Sequence, residues 1–226
     1  MSRYGVILAA RTGSHRLPGK ALLPLKELPM IVFLIRRLKT STKVNRIILA
    51  TTKLMEDDIL AELAKTEEID SFRGDTDDVV LRFVEAAHAF KLEYVVRVTG
   101  DCPFVDGPSL DYCLAACDRY DSFDIASTKK RFPVGIDYEV YNAWAMRQLH
   151  SSGLSPEERE HLTLGMYNHP EQYKTIPLFP PADWPQTDTE FTVDSQEDYL
   201  FAQAVTEAFD SIFFSVPDLI AKAKTV

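Results

Sequence analysis

The chain has 226 residues, 46% of them hydrophobic, with 34 acidic against 25 basic side chains and a formal charge of −9. That balance argues against a general nucleic-acid backbone binder, yet leaves room for a nucleotide where cations are gathered in one place. No apolar run reaches membrane-span length and the amino terminus lacks a signal-peptide core, so a cytoplasmic protein without a membrane partner is expected, with residues 1–226 forming one domain.

Tyr4 and the run Val6-Ile7-Leu8 read as a buried parallel strand that ends in the small pair Ala9-Ala10. The loop after it carries Arg11, Gly13, Ser14, Arg16, Gly19 and Lys20. An α/β sheet delivers such a loop to its carboxyl edge, where ligands bind. Three cations, a hydroxyl and glycines that expose backbone N–H groups suit a polyphosphate. A P-loop is excluded, because five residues separate Gly13 from Gly19 and Ala21 follows Lys20. No G-x-G-x-x-G follows the strand either.

Pro29 opens a helix with Ile31, Leu34, Ile35 and Leu38 on one face. Arg46–Thr51 is the second strand, and Glu56-Asp57-Asp58 leads a helix with Ile59, Leu60 and Leu63 inward. Ile69–Arg73 reads as a short strand ending at Gly74, followed from about Asp77 by a helix with Val80, Phe83, Val84 and Ala87 on one face. Tyr94–Val98 is a strong strand with Thr99-Gly100-Asp101-Cys102-Pro103 at its carboxyl end. Cys113 and Cys117, four apart on the next helix, are expected as buried free thiols. The alternation predicts an α/β fold: a mainly parallel, Rossmann-like sheet with helices on both faces.

Past Tyr120 the rhythm changes. Phe123–Ser127 reads as a strand, and Ile136–Tyr141 alternates apolar and acidic side chains as a strand with one polar face. Asn142 caps a helix ending near Gly153, and Ser155-Pro156-Glu157-Glu158 is a capping box that starts another towards His169. Tyr173–Leu178 and Phe191–Val193 are strand-like, and helices from Ser195 and Pro217 close the chain.

Two carboxylates stand where a sheet edge binds ligands. Asp101 suits Mg²⁺, which takes hard oxygen donors, or it is a turn residue capping its own loop or the Pro108 helix. Asp194 follows a late strand, but Asp194-Ser-Gln-Glu197 also has the spacing of an N-cap with Glu at N3.

The stretch Ala9-Ala10-Arg11-x-Gly-Ser-x-Arg-Leu-Pro-Gly-Lys20 resembles the opening of the CMP-sugar synthetases, and most of all their spore-coat polysaccharide branch. That branch often has a glutamine before Ala10, where this chain has Ala9. Enzymes for other bases often carry Gly-Gly where Ala9-Ala10 stands, which favours cytidine. Phe72-Arg-Gly-Asp-Thr-Asp-Asp78 is similar to a nucleotide-side segment, and Phe132–Glu139 and Glu158-Arg-Glu-His161 to sugar-side segments.

The resemblance implies transfer of CMP from CTP to the hydroxyl of an acidic sugar, with Mg²⁺ on Asp101 and Asp194. Arg11, Arg16 and Lys20 would meet the outer phosphates, Arg73 base or phosphate, and Asp137, Glu139, Arg159 and His161 the sugar. It also implies a homodimer through the excursion Thr128–Tyr141, whose Phe132, Val134, Ile136, Tyr138 and Tyr141 would need a covering surface. The competing expectations are a uridylyl or guanylyl transferase using a sugar phosphate, a glycosyltransferase, and a regulatory nucleotide-binding module without catalysis. Without the resemblance, Arg73, Asp137, Glu139, Arg159 and His161 read as surface charges.

Overall fold

A computed structural model describes residues 3–226. Strand β1 (Tyr4–Ala9) lies in the interior of a seven-stranded sheet and is buried on both faces, which is why it reads as an unbroken apolar run. Because side chains alternate along a strand, Val6 and Leu8 enter one core layer while Ile7 enters the other.

A two-stranded ribbon, β2 (Pro24–Leu25) with β3 (Leu28–Pro29), leads into α1 (Met30–Leu38). Strand β4 (Val44–Thr52), helix α2 (Asp58–Thr66), strand β5 (Asp70–Gly74), helix α3 (Val79–Ala89), strand β6 (Tyr94–Thr99) and helix α4 (Gly107–Cys117) follow. Strands β5, β4, β1 and β6 are parallel neighbours in that order. Helices α1, α2 and α4 cover one face, and α3 covers the other. Ile59, expected inward, is 39% exposed, while Leu60 is buried as expected and Ala64 joins it in the contact. Cys113 and Cys117 are buried free thiols as expected.

The second half adds β7 (Ile125–Ser127), β8 (Glu139–Asn142), α5 (Ala143–Ser151), α6 (Pro156–Glu160), α7 (Leu164–Asn168), β9 (Thr175–Pro177), α8 (Gln196–Glu207) and α9 (Val216–Ala223). The sheet order is β5-β4-β1-β6-β8-β7-β9, and β8 runs against both its neighbours. The expected strand at Ile136 begins three residues later, at Glu139. Gly135 sits at φ +84°, with its backbone so close to Thr192 that a Cβ would lie 2.2 Å from the Thr192 nitrogen. Its N–H donates to Asp137 Oδ1 at 2.9 Å, so Asp137 closes a turn and does not share a strand face with Glu139.

Three other expectations change. The helix from Ser155 breaks between α6 and α7 because Leu162 and Thr163 turn inward, both nearly buried, and Thr163 Oγ1 donates to Glu139 Oε1 at 2.8 Å. Phe191–Val193 forms no ladder; it runs beside two loops, with Phe191 N–H on Val134 O and Val193 N–H on Asp101 O, each at 2.8 Å. Of the apolar residues expected on a dimer surface, Phe132, Ile136, Tyr138 and Tyr141 are buried within the chain's own core, and only Val134 is exposed. The excursion therefore presents no apolar face that calls for a partner.

Helix α8 is capped by Ser195, not Asp194: its hydroxyl accepts from Asp198 N at 3.2 Å, and Asp198 returns a bond to the Ser195 N–H. Ser195→Ala is expected to cost about 1 kcal/mol of stability, seen as a lowered unfolding midpoint. An unchanged midpoint would remove Ser195 from the cap. Among the described residues no helix is long and apolar enough to cross a membrane.

Candidate active site

Three chain segments meet at the carboxyl edge of β1 and β6. Gly100 makes the approach possible: a Cβ there would stand 3.0 Å from Ala10 Cβ and 3.2 Å from the Ala9 carbonyl. Its N–H donates to that carbonyl at 2.7 Å. The Val193–Asp101 backbone bond then brings the Asp194 loop against the Asp101 loop.

The basic loop is pinned at two points. Thr12 gives both its N–H (2.7 Å) and its hydroxyl (2.8 Å) to Asp57 Oδ1, while Thr52 holds the other oxygen. Burial pushes the Asp57 carboxyl up, but these donors outweigh it and keep the group ionised. Gly19, at φ +68°, donates to Thr12 O at 3.0 Å and starts a single 3₁₀ turn from Lys20. That turn sends Lys20 inward.

Lys20 Nζ stands between the two carboxylates, 3.2 Å from Asp101 Oδ2 and 2.7 Å from Asp194 Oδ1, and also donates to Val193 O at 3.0 Å. Arg16 reaches the other oxygen of Asp194 at 2.8 Å. Burial would raise the Asp101 carboxyl, but Lys20, Thr99 and Cys102 together hold it below the usual range. Both aspartates thus converge on one cation, and neither caps a helix. Asp106 caps α4, where Asp101 was a candidate. Among the described residues no group of three His, Cys, Asp or Glu could hold a metal. Two carboxylates are what Mg²⁺ uses when phosphates and water supply the rest, so the donor set fits that ion.

A cleft of about 400 Å³ opens over this point, lined by Ala9, Ala10, Arg11, Ser14, Arg16, Lys20, Asp101, His161 and Asp194 from the sequence reading, and by His15, Ala21, Val79, Arg82, Arg97, Thr99, Gly100 and Glu160 besides. Five Lys or Arg against three carboxylates make it basic in a chain of net charge −9. A larger hollow of about 560 Å³ sits at the opposite edge of β4 and β5, against Asn45, Arg46 and Asp70. That is the amino-terminal edge, away from the converging groups.

Several expected site residues lie elsewhere. Arg73 is spent on structure, donating to the carbonyls of Thr52 (2.9 Å) and Leu54 (2.7 Å) and pairing with Asp58 at 2.5 Å. Arg159 pairs with Asp78 and approaches His150 at 3.4 Å, tying α6 to α3. Gly13 and Asp137 do not line the cleft. Glu139 is fully buried, with Oε1 accepting from Thr163 (2.8 Å), Lys129 (2.9 Å) and Tyr167 (3.1 Å) and Oε2 from Arg97 (2.9 Å). With no exposed surface, this carboxylate is not open to a substrate hydroxyl.

Arg97 is the residue that the sequence reading passed over. It opposes Glu139 directly across β6 and β8, and its side chain is 25% exposed towards the cleft. Desolvation lowers the Arg97 pKa, but Glu139 more than offsets it. Burial likewise pushes Glu139 up, while Arg97 and Lys129 pull it down, so both stay charged. A cation inside the apolar run Tyr94–Val98 was the available signal.

A cytidylyltransferase family model matches residues 5–217. The spore coat polysaccharide biosynthesis protein SpsF of Bacillus subtilis is 33% identical over 85% of this chain and 82% of that protein. A solved cytidylyltransferase from Leptospira borgpetersenii superposes with a TM-score of 0.93 at 30% identity, covering all of this chain and 95% of its own. A CMP:2-keto-3-deoxy-manno-octonic acid synthetase, solved with CTP, shares the fold at TM-score 0.71 and 19% identity, over 92% of this chain and 99% of that one.

Proposed function

The chain belongs to the cytidylyltransferase family, and from that premise we propose that it transfers CMP from CTP to a hydroxyl of an acidic sugar and releases pyrophosphate. The attacking hydroxyl oxygen forms a bond to the α-phosphorus as the bond to pyrophosphate breaks, and the hydroxyl proton passes to solvent. Arg11, Arg16 and Lys20 sit on one loop beside the cleft and would neutralise the outer phosphates. Asp101 and Asp194 are the residues that would hold Mg²⁺, whose charge stabilises the reacting phosphate when bound. The protein's share is to position the reactants and to meet developing charge with fixed charge.

The observation that carries the acidic-sugar reading is Arg97. A guanidinium held in place by a fully buried carboxylate, and facing the cleft, suits a planar sugar carboxylate. It takes the role expected of Arg159; His161 remains at the cleft rim. Glu139 supports this cation from a fully buried position and does not itself face a substrate.

The test is pyrophosphate release from CTP across a panel of acidic sugars, neutral sugars and sugar 1-phosphates. An acidic sugar is expected to react and give a product with one phosphorus atom by mass spectrometry. Arg97→Met is expected to raise the KM for that sugar roughly ten- to a hundredfold, leaving the KM for CTP in place. Turnover only with sugar 1-phosphates, or a diphosphate-linked product, would overturn the reading.

A further inference from the structure

The loop that carries Arg11, Ser14, Arg16 and Lys20 closes on one residue. The Thr12 carbonyl accepts from the N–H groups of Ser14 (2.8 Å) and Gly19 (3.0 Å), so residues 13–18 form a closed loop standing on Thr12. Thr12 in turn rests on Asp57, which has no exposed surface and takes both the Thr12 N–H and its hydroxyl on Oδ1. The position of Asp57 therefore sets the position of the loop.

Asp57 belongs to the connection between β4 and α2, where a single 3₁₀ turn spans Met55–Asp57. Leu54 is 45% and Met55 85% exposed, so apolar burial does little to hold this connection. Polar bonds hold it instead. Leu54 N–H donates to Thr52 Oγ1 at 3.2 Å, and Asp57 N–H to Leu54 O at 3.0 Å. Arg73, on the neighbouring strand β5, braces it from the side. Its Nε donates to Thr52 O at 2.9 Å, its Nη2 to Leu54 O at 2.7 Å, and its Nη1 pairs with Asp58 at 2.5 Å. One rigid guanidinium thus grips the chain on both sides of Asp57. Neither Arg73, Asp57 nor Thr12 lines the cleft.

We propose that Arg73 and Asp57 are positioning residues for the triphosphate: through Thr12 they hold the cationic loop where it meets the outer phosphates, without touching the nucleotide. This rests on the assignment of CTP as the nucleotide donor and of that loop as its phosphate site. A loop held in place beforehand loses less entropy when phosphates arrive than one the ligand must gather. The brace acts on the loop alone, so a nucleotide without outer phosphates does not feel its loss.

The experiment is calorimetric binding of CTP, CMP and inorganic tripolyphosphate to the wild type, Arg73→Met, Thr12→Val, Thr12→Ser and the double variant Arg73→Met with Thr12→Val. Arg73→Met and Thr12→Val are each expected to weaken CTP and tripolyphosphate roughly three- to thirtyfold while CMP binding stays unchanged. Thr12→Ser, which keeps the hydroxyl, should bind as the wild type does. The double variant should lose clearly less than the product of the two single losses, because both changes cut the same chain of bonds. Fully independent losses would show that Arg73 does not act through Thr12 and overturn the proposal. So would an equal loss of CMP, which would make Arg73 a contact to the nucleoside or a general support of the fold. Where Arg73→Met fails to fold, Thr12→Val decides alone: tripolyphosphate affinity equal to that of Thr12→Ser overturns the proposal. A wild type that binds neither CTP nor tripolyphosphate would overturn the nucleotide assignment, and the proposal with it.

Discussion

Asp101→Asn is expected to fold and melt close to the wild type while turning over at least a hundredfold more slowly. Asparagine keeps the size of the side chain, and the backbone bond from Val193 to the Asp101 carbonyl does not involve it. What disappears is one of two negative oxygens aimed at the point now filled by the Lys20 ammonium. Losing fixed charge there costs about 3 kcal/mol of transition-state stabilisation, which is a hundredfold or slightly more in rate. The measurement is pyrophosphate release at saturating CTP and Mg²⁺, beside a thermal melt. Near-normal turnover at saturating Mg²⁺ would remove Asp101 from the chemistry.

The first half of this site was readable from the chain because its determinants are local. A strand buried on both faces, a small pair at its end and a cation-rich loop are all contained in Tyr4–Lys20, and the sheet edge follows from them. The position of Asp101 after a second such strand was readable for the same reason. Asp194 was ambiguous because serine and aspartate compete for one cap, and spacing alone does not say which wins. Ser195 wins in the folded chain, with Asp198 closing the box, and that frees the Asp194 carboxylate for Lys20.

The sugar side was not readable, because there the determinants are pairings between distant segments. Glu139 looks like the wet face of a strand until its register against β6 sets it opposite Arg97. The antiparallel insertion of β8 between β6 and β7 fixes that register, and nothing within Ile136–Tyr141 announces it. Arg73 and Arg82 pose the same problem in reverse. Both follow the apolar pattern of β5 and α3, yet one folds back onto the Thr52 and Leu54 carbonyls while the other enters the cleft.

Lys20→Ala is expected to move two binding constants in opposite directions. A charge-assisted contact to phosphate is worth about 1.5–3 kcal/mol, so CTP affinity should fall roughly ten- to a hundredfold. The same change removes the ammonium that now lies within 3.2 Å of Asp101 and 2.7 Å of Asp194. Two carboxylates facing one point, with only Arg16 left on the far oxygen of Asp194, repel each other and favour any divalent ion that enters. Binding of Mn²⁺ to the nucleotide-free protein, followed by the loss of its free-ion paramagnetic resonance signal, should therefore tighten in the variant. On the proposed function, the wild-type lysine would exchange the aspartates for a triphosphate as the ion enters between them. A lysine that only braced the fold would lower the melting temperature without separating the two affinities. Unchanged CTP affinity, or Mn²⁺ binding no tighter than in the wild type, would show that Lys20 does not hold the place between the two aspartates for the ion.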